Sequence, residues 1–338
     1  MESKRKNLVS IIIPVLNSEK SIYECLDSVL NQSYSFLEII IVYNDSSDAT
    51  LEICNSYAKK DKRIRIIKNT GNKNIANSRN VGIMATRGEY IGFVDSDDYI
   101  TKDMYEHLYK NISSCDADIA ICGFEMVNEF GNIINHKNEI IEFPVAIKPE
   151  KIVLQDKIDI LRCSLYEHNE DSRIASCVWN KLYRSSLFKN LKFIDNKFYE
   201  DIHITYLLLE QTDKVIILSE RKYFYVYRKS STGNAKNILL KKDLIEILIL
   251  RYTYFSTRHP CLEKICRKRT IVSLIWEAVQ IIKYNNDLEY RNLLYNIIIY
   301  LSSINTNDCD LSEDNLKMLY FLLNNLKMFK IASNIIKI

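Results

Sequence analysis

At 338 residues the chain is long enough for two domains, or for one domain with a large appendage. Its 47% hydrophobic and 26% charged residues are ordinary for a globular protein, and seven Gly and four Pro exclude collagenous and Gly/Ser-linker classes. A net charge of +3 gives no reason to expect a nucleic-acid partner. The charge is uneven: residues 236–338 carry 15 Lys/Arg against 10 Asp/Glu, a net +5 that leaves −2 for residues 1–235.

The nine Cys are an odd number, contain no C-x-x-C and follow no secretory signal, which points to reduced thiols in a cytosolic protein. The five His lie nowhere near paired Cys, so a zinc site is not expected. No apolar run reaches the length that spans a bilayer. The basic start Lys4-Arg5-Lys6 precedes a run, Leu8 to Leu16, that is too short for a signal and reads as a strand.

In chain order, Val9 to Ile13 is a β-branched run stopped by Pro14. Ser21 and Glu24 have capping-box spacing, and Ile22, Leu26, Val29 and Leu30 mark one face of a helix. Glu38 to Val42 is a second strand, followed by the loop Tyr43 to Asp48 and a helix over about 49–60. Arg63 to Lys68 alternates charge with Ile as a more exposed strand does, and a polar turn from Gly71 leads into a helix ending near Thr86. Gly88 to Asp98, G-E-Y-I-G-F-V-D-S-D-D, is a buried strand that stops in three carboxylates. The first hundred residues therefore alternate β and α as a doubly wound parallel sheet does. No G-x-G-x-x-G follows the first strand, so dinucleotide binding is not indicated.

Beyond Asp98 the pattern predicts a helix over 102–111, strands at 118–124 and 139–143 around a turn at Gly131-Asn132, and a helix from Pro149 to Tyr166. It predicts a second short helix from Trp179 to Lys189 and a third opening at Tyr199-Glu200-Asp201 and running to about Gln211. Strands follow at 214–218 and 223–227. After Gly233 the texture changes to long Ile/Leu-rich amphipathic helices, about 237–258, 262–284, 288–304 and 312–336, which places a domain boundary near Asn234.

Three carboxylates within four residues repel one another in a partly buried site unless a cation sits among them. Open α/β sheets bind ligands outside the carboxyl ends of their strands, and the D-x-D of Asp95-Ser96-Asp97 suits a hard divalent ion that bridges to phosphates. The bland reading is a solvated acidic turn.

Several ordered stretches decide between them: V-S-I-I-I-P-V-L-N (9–17), the loop at 43–48, S-R-N-V-G-I (78–83), G-E-Y-I-G-F-V-D-S-D-D (88–98), W-N-K-L-Y-R (179–184), Y-E-D (199–201) and Y-F-Y-V-Y-R-K-S-S (223–231). Together, over roughly residues 8–232, they resemble the family-2 glycosyltransferases of the GT-A fold, especially bacterial surface-polysaccharide enzymes. The resemblance implies an α/β fold with a doubly wound mixed sheet in a catalytic domain over 1–234, and an all-helical C-terminal appendage over 235–338. It implies an inverting, metal-dependent transfer of a hexose or N-acetylhexosamine from a nucleotide-diphosphate sugar, UDP-linked, to a glycan or lipid-linked saccharide.

By the same resemblance, Pro14, Leu16, Asn17 and Glu19 line the nucleotide pocket; strand termination explains Pro14 and Asn17 equally well. Asn44 stands where relatives present an Asp to the uracil ring, with Asp45 one residue on as the alternative, and Asp48 reads as a helix cap. Arg79 faces the phosphates, which its forked guanidinium suits, or else makes a surface ion pair. Asp97 is the expected ligand of Mg²⁺ or Mn²⁺, Asp95 turns to ribose or metal with Ser96 nearby, and Asp98 fixes the loop. Asp201 is the expected general base and Glu200 orients the acceptor; the competing reading is a pair of helix-capping carboxylates. Trp179, Asn180 and Lys181 lie on the acceptor side, unless Trp179 is a core anchor. Arg228 and Ser231 close over the diphosphate, while Lys229 and Ser230 stand where many relatives carry a metal-binding His; His203 is read as packing on its helix.

The helical tail has two readings, a packing or dimer surface and loose contact with an anionic membrane through Lys327, Lys330 and Lys337 among Met328, Phe329 and Ile331. The expected location is the cytoplasm, including the inner face of the cell membrane. Two rival functions are a nucleotidyltransferase that makes a nucleotide sugar, and a non-catalytic nucleotide-sugar-binding protein of the same fold.

Overall fold

The apolar runs of the first hundred residues become parallel strands with almost no exposed surface. In the computed structural model, which describes residues 4–134, 151–165, 176–228, 238–284, 288–306 and 309–325, these are β1 (Arg5–Val15), β2 (Leu37–Tyr43), β3 (Ile64–Lys68) and β4 (Gly88–Phe93). Their spatial order is β3-β2-β1-β4, all parallel. The last eight residues of β1 and all seven of β2 are buried, as strands covered on both faces must be. Three crossover helices connect them: α1 (Ile22–Leu30), α2 (Thr50–Lys60) and α3 (Ile75–Ala85). Ser21 is the N-cap of α1 but makes no capping-box bond, because its hydroxyl donates instead to the Ser96 carbonyl at 3.1 Å.

The second half of the sheet is antiparallel or mixed. It comprises β5 (Tyr99–Ile100), α4 (Met104–Ser114), β6 (Ile119–Val127), β7 (Lys151–Leu154), α5 (Lys157–Arg162), β8 (Lys181–Arg184), α6 (Glu200–Glu210) and β9 (Val215–Val226). The short β8 sits between β4 and β6, antiparallel to both; β9 runs parallel to β6 and carries β5 and β7 antiparallel. The nine strands therefore form one mixed sheet.

Three expectations need correction. The segment read as a helix from Trp179 to Lys189 is β8 followed by a 3₁₀ turn at Ser185–Phe188, because pairing of Leu182 with both Gly92 and Ala120 overrides local propensity. The helix read from Pro149 is β7 and then α5, whose start is fixed by Asp156 accepting from the Asp159 N–H. The two strands read at 214–218 and 223–227 are one, bent where the β6 register shifts between Ile121 and Phe124. The turn at Gly131 is present with Gly131 at φ 77, whereas the strand read at 139–143 lies outside the described residues.

Gly92 shapes the centre of this sheet. A Cβ there would stand 2.5 Å from the ring of Tyr105, which lies flat and fully buried against β4. The chain as a whole divides into two units, Met1–Asn234 and Ala235–Ile338. In the second unit α7 (Ile238–Arg258), α8 (Pro260–Tyr284), α9 (Leu288–Ser303) and α10 (Glu313–Asn324) pack around Leu248, Ile271, Leu274, Ile297 and Leu301. Pro260 opens α8, where its missing N–H costs no bond, and the Ser312 hydroxyl caps α10. No helix among the described residues is long and apolar enough to cross a membrane. The lysines read as a membrane contact beyond residue 326 lie outside the described residues.

Candidate active site

The acidic stretch after β4 is a tight turn at the carboxyl end of the sheet, closed by the Asp98 N–H donating to the Asp95 carbonyl at 3.1 Å. Asp98 is buried and accepts from the Tyr223 hydroxyl at 2.7 Å and the Val226 N–H at 2.8 Å, so it fixes the loop to β9. Burial, then Asp97 and Asp95, push its carboxyl well above the usual range. Ser96 is braced by the Ser18 hydroxyl at 2.8 Å. Asp97 points the other way, with its side chain 45% exposed. Desolvation and the neighbouring Asp95 raise its carboxyl, while Arg228, 3.6 Å away and donating to the Asp97 carbonyl, lowers it.

The second acidic cluster opens α6. Tyr199 holds a left-handed conformation at φ 60, a conformation costly for a bulky residue, and turns the chain so that Glu200 and Asp201 enter the helix facing inwards. Glu200 is buried, and its carboxyl is pushed up to about 7 by desolvation, against the pull of Arg79. Asp201 is raised for the same first reason, again opposed by Arg79.

Arg79 joins the two clusters. Its Nη2 donates to Asp95 at 2.8 Å and its Nη1 to Glu200, and the guanidinium lies over the Phe193 ring at 5.6 Å. Asp95 and Glu200, far apart in the chain, thus share one buried cation. Arg79 was expected to face the phosphates or to pair at the surface; the pairs it makes are inside the protein, with both terminal nitrogens bonded to carboxylates.

The nucleotide-pocket residues are placed more variously. Pro14 is buried opposite Val42, and Leu16 is 48% exposed at the end of β1. Asn17, left-handed at φ 49, accepts the Ser47 N–H at 2.9 Å, and Glu19 accepts the Ala49 N–H at 3.1 Å. Both side chains therefore brace the loop after β2. Asp48 takes the Glu19 and Thr50 N–H groups, the capping role expected of it. Asn44 requires correction: its Nδ2 donates to Val15 and Val42 carbonyls, and its Oδ1 accepts from Asn69 and Ser78. The side-chain amide is therefore saturated within the protein, and the residue is 2% exposed. Asp45 is 36% exposed at φ 48 and pairs with Lys68 and Lys73.

The residues read as the acceptor side are all buried. Trp179 is buried, with Tyr223 stacked on it at 4.1 Å and Phe124 edge-on at 4.8 Å, so it is a core anchor and not a sugar platform. Asn180 donates to the Cys122 carbonyl at 2.6 Å, and Lys181 donates to Asn180 and the Cys177 carbonyl. Both are buried, and desolvation lowers the Lys181 ammonium. His203 packs edge-on against Tyr206, as expected. Ser231 lies outside the described residues. Reading the sequence missed Tyr223, Asn69 and Ser78; Ser78 and Tyr223 stood within quoted motifs, but nothing in one sequence assigns their partners.

Among the described residues no three carboxylate, imidazole or thiol groups converge at ligand spacing. Asp95 and Asp97 do supply an all-oxygen pair whose crowding a cation would relieve, the donor chemistry a hard divalent ion takes.

The model of the family described as "Glycosyl transferase family 2" matches residues 10–184, more than half of the chain. The chain belongs to glycosyltransferase family 2. This chain is 32% identical over 257 residues to glycosyltransferase GlyA of Streptococcus pneumoniae, covering 76% of this chain and 36% of that protein. It is 34% identical over 221 residues to EpsJ of Bacillus subtilis, an uncharacterized glycosyltransferase, covering 64% and 60%. It thus spans less than two thirds of either relative's length. Among solved structures, S. aureus TarS 1–349 in complex with UDP-GlcNAc superposes with a TM-score of 0.66 at 20% identity, covering 96% of this chain and 88% of that one. The likeness shows the fold, GT-A, and the mixed sheet agrees with the expected class.

Proposed function

We propose that this glycosyltransferase is an inverting, metal-dependent enzyme that moves a hexose or N-acetylhexosamine from a UDP-linked donor to a saccharide or lipid-linked saccharide in surface-polysaccharide synthesis. One observation carries the reading: the acidic turn after β4 and the acidic start of α6 face each other through Arg79. The relatives support its finer parts. TarS is complexed with UDP-GlcNAc, and a Bacillus spizizenii relative, 31% identical over 228 residues and covering 65% of this chain, is a poly(ribitol-phosphate) beta-glucosyltransferase.

Asp97, with Asp95, would hold Mg²⁺ or Mn²⁺, which when bound supplies Lewis-acid stabilisation to the departing nucleoside diphosphate. Arg228, beside Asp97, contributes positive charge at the diphosphate. Asp45, the exposed carboxylate of its loop, takes the base in place of Asn44. Asp201 accepts the proton of the acceptor hydroxyl, and burial raises its carboxyl above its ordinary value, which makes it a stronger base. Glu200 orients the acceptor from the same turn of helix. Residues 1–234 form the catalytic domain and 235–338 a helical domain, and the enzyme works in the cytoplasm at the inner membrane face, where lipid-linked acceptors are exposed.

The test is a panel of nucleotide sugars with Mn²⁺, scored for release of free nucleotide and glycan product. Asp97→Ala is expected to abolish both transfer and metal-dependent UDP binding, and Asp201→Asn to keep UDP binding while losing transfer. Normal turnover by Asp201→Asn refutes the base assignment. Pyrophosphate release from UTP and a sugar phosphate would establish the nucleotidyltransferase instead, and UDP binding with no turnover or hydrolysis of any donor would establish a binding protein.

A further inference from the structure

The position of Arg79 has a meaning beyond the reaction itself. The residue is 3% exposed, roofed by Phe193 at 2% and flanked by Glu200 at 5%. Its two terminal nitrogens go to two different carboxylates, one from each acidic cluster. Both terminal nitrogens are thus engaged, one by the partly exposed Asp95 and one by the buried Glu200, and only Nε lacks a partner; a diphosphate that took Nη1 would leave the Glu200 carboxylate buried and unpaired, which is costly.

The helix that carries Arg79 is also fastened to the segment that leads into α6. The Asn80 amide makes reciprocal bonds with the backbone of Phe193, Nδ2 to carbonyl and N–H to Oδ1, both at 2.9 Å. Asn74, which caps α3, donates to Asp195 at 3.1 Å. Phe193 and Asp195 lie a few residues before Tyr199, whose left-handed turn delivers Glu200 and Asp201. Helix α3 therefore holds the start of α6 by two amide clips and one shared cation, and the same cation holds the loop that follows β4.

We propose that Arg79 is a positioning residue: it sets the spacing and charge balance between the cation-holding loop and the acid pair of α6, and it is not a ligand of the donor diphosphate. This rests on the reaction proposed above. Arg228 pairs with Asp97, and Lys181 donates to Asn180 and the Cys177 carbonyl. With the guanidinium gone, Asp95 and Glu200 lose their common partner and the α6 pair shifts. A displacement of about 1 Å at a reacting group costs on the order of 100-fold in rate.

The experiment uses the full chain and three variants, Arg79→Lys, Arg79→Met combined with Glu200→Gln, and Asn80→Ala, each checked for a cooperative melt. Calorimetric titration measures Mn²⁺ alone and UDP with Mn²⁺, and transfer kinetics separate kcat from the donor KM. A lysine ammonium reaches one carboxylate and not both, so Arg79→Lys is expected to lower kcat about 100-fold with UDP affinity held within about threefold. Asn80→Ala, which loosens only the Phe193 clip, is expected to lower kcat at unchanged donor KM. The double variant removes one positive and one negative charge together, so it is expected to fold and to bind Mn²⁺ at least as tightly as the parent, again with kcat lost. A loss of UDP affinity of about 30-fold or more in folded Arg79→Lys would make Arg79 a diphosphate ligand and overturn the proposal. Unchanged kcat in that variant would overturn it equally. If the parent chain transfers no sugar at all, the reaction reading fails, and the Mn²⁺ and UDP titrations still decide the role of Arg79.

Discussion

Adding a single methyl group at Gly92 is expected to destabilise the first unit and disturb the acidic turn three residues later. The added Cβ would lie 2.5 Å from both Cε1 and the hydroxyl oxygen of Tyr105 and 2.8 Å from Cζ. Carbon atoms rest at about 3.5–4.0 Å, so the ring must retreat by roughly 1 Å. Tyr105 is fully buried, so any retreat of the ring pushes on the core around it. Overpacking of this kind costs about 1–3 kcal/mol, and the smaller unfolded-state entropy of alanine offsets under 1 kcal/mol of it. We expect Gly92→Ala to lose about 2 kcal/mol, which in a unit of this size lowers Tm by roughly 4–8 °C. The two tryptophans make the assay clean, because Trp179 is buried on Tyr223 in the first unit and Trp276 is 62% exposed in the second. In a Trp276→Phe background, emission reports the first unit alone, which a two-unit chain requires. Tyr105→Leu removes the obstructing ring, and a double-mutant cycle is expected to show a coupling of about 1–2 kcal/mol. A Gly92→Ala melt within 1 °C of the parent would refute the packing argument. So would an equal loss in the Tyr105→Leu background.

The pH dependence has a definite sign. Glu200 is raised from 4.5 to about 7 in the folded state, so the native protein holds its proton more tightly than the unfolded chain. That contribution to stability is complete below about 4.5 and is lost as pH climbs through 7, up to about 3 kcal/mol, with the same direction at Asp201. Transfer needs the base ionised, so kcat is expected to rise over the window in which Tm falls; Glu200→Gln melts that keep the parent's slope between pH 5 and 8 would refute the assignment. Asn44→Asp replaces a donor that serves two carbonyls by an acceptor facing them, and is expected to cost about 2–3 kcal/mol in urea unfolding with no gain in UDP affinity. Trp179→Ala is expected to lose about 3–5 kcal/mol of stability, while Trp179→Phe, if folded, keeps the acceptor KM.

The parallel half of the sheet was legible because strands buried on both faces are continuous apolar runs that stop at charged or turn residues. Asp95 and Asp97 stood out for a related reason, since carboxylates crowded at the end of an apolar run are conspicuous, whereas Asp201 was singled out only by the family resemblance of Y-E-D and by itself reads as a helix cap. Strand β8 was not, since Lys181 and Arg184 disguise a four-residue buried strand, and its identity depends on neighbours from β4 and β6. Nor could the sequence disclose that the Asn44 amide is consumed by Asn69 and Ser78, or that the Trp179 face is covered by Tyr223. Arg79 is the sharpest case. Its residue type indicated an anion, and only the tertiary fold reveals that the anions are the protein's own carboxylates.

The bond from Asp98 to the Val226 N–H acts as a pivot pin. Arg228 follows it by two residues, and two extended residues reach about 7 Å, so its backbone stays close to a point tied to the acidic turn. A displacement of this end of β9 beyond that reach must carry the turn with it, so the end of one strand and the carboxylates that follow another are mechanically geared together.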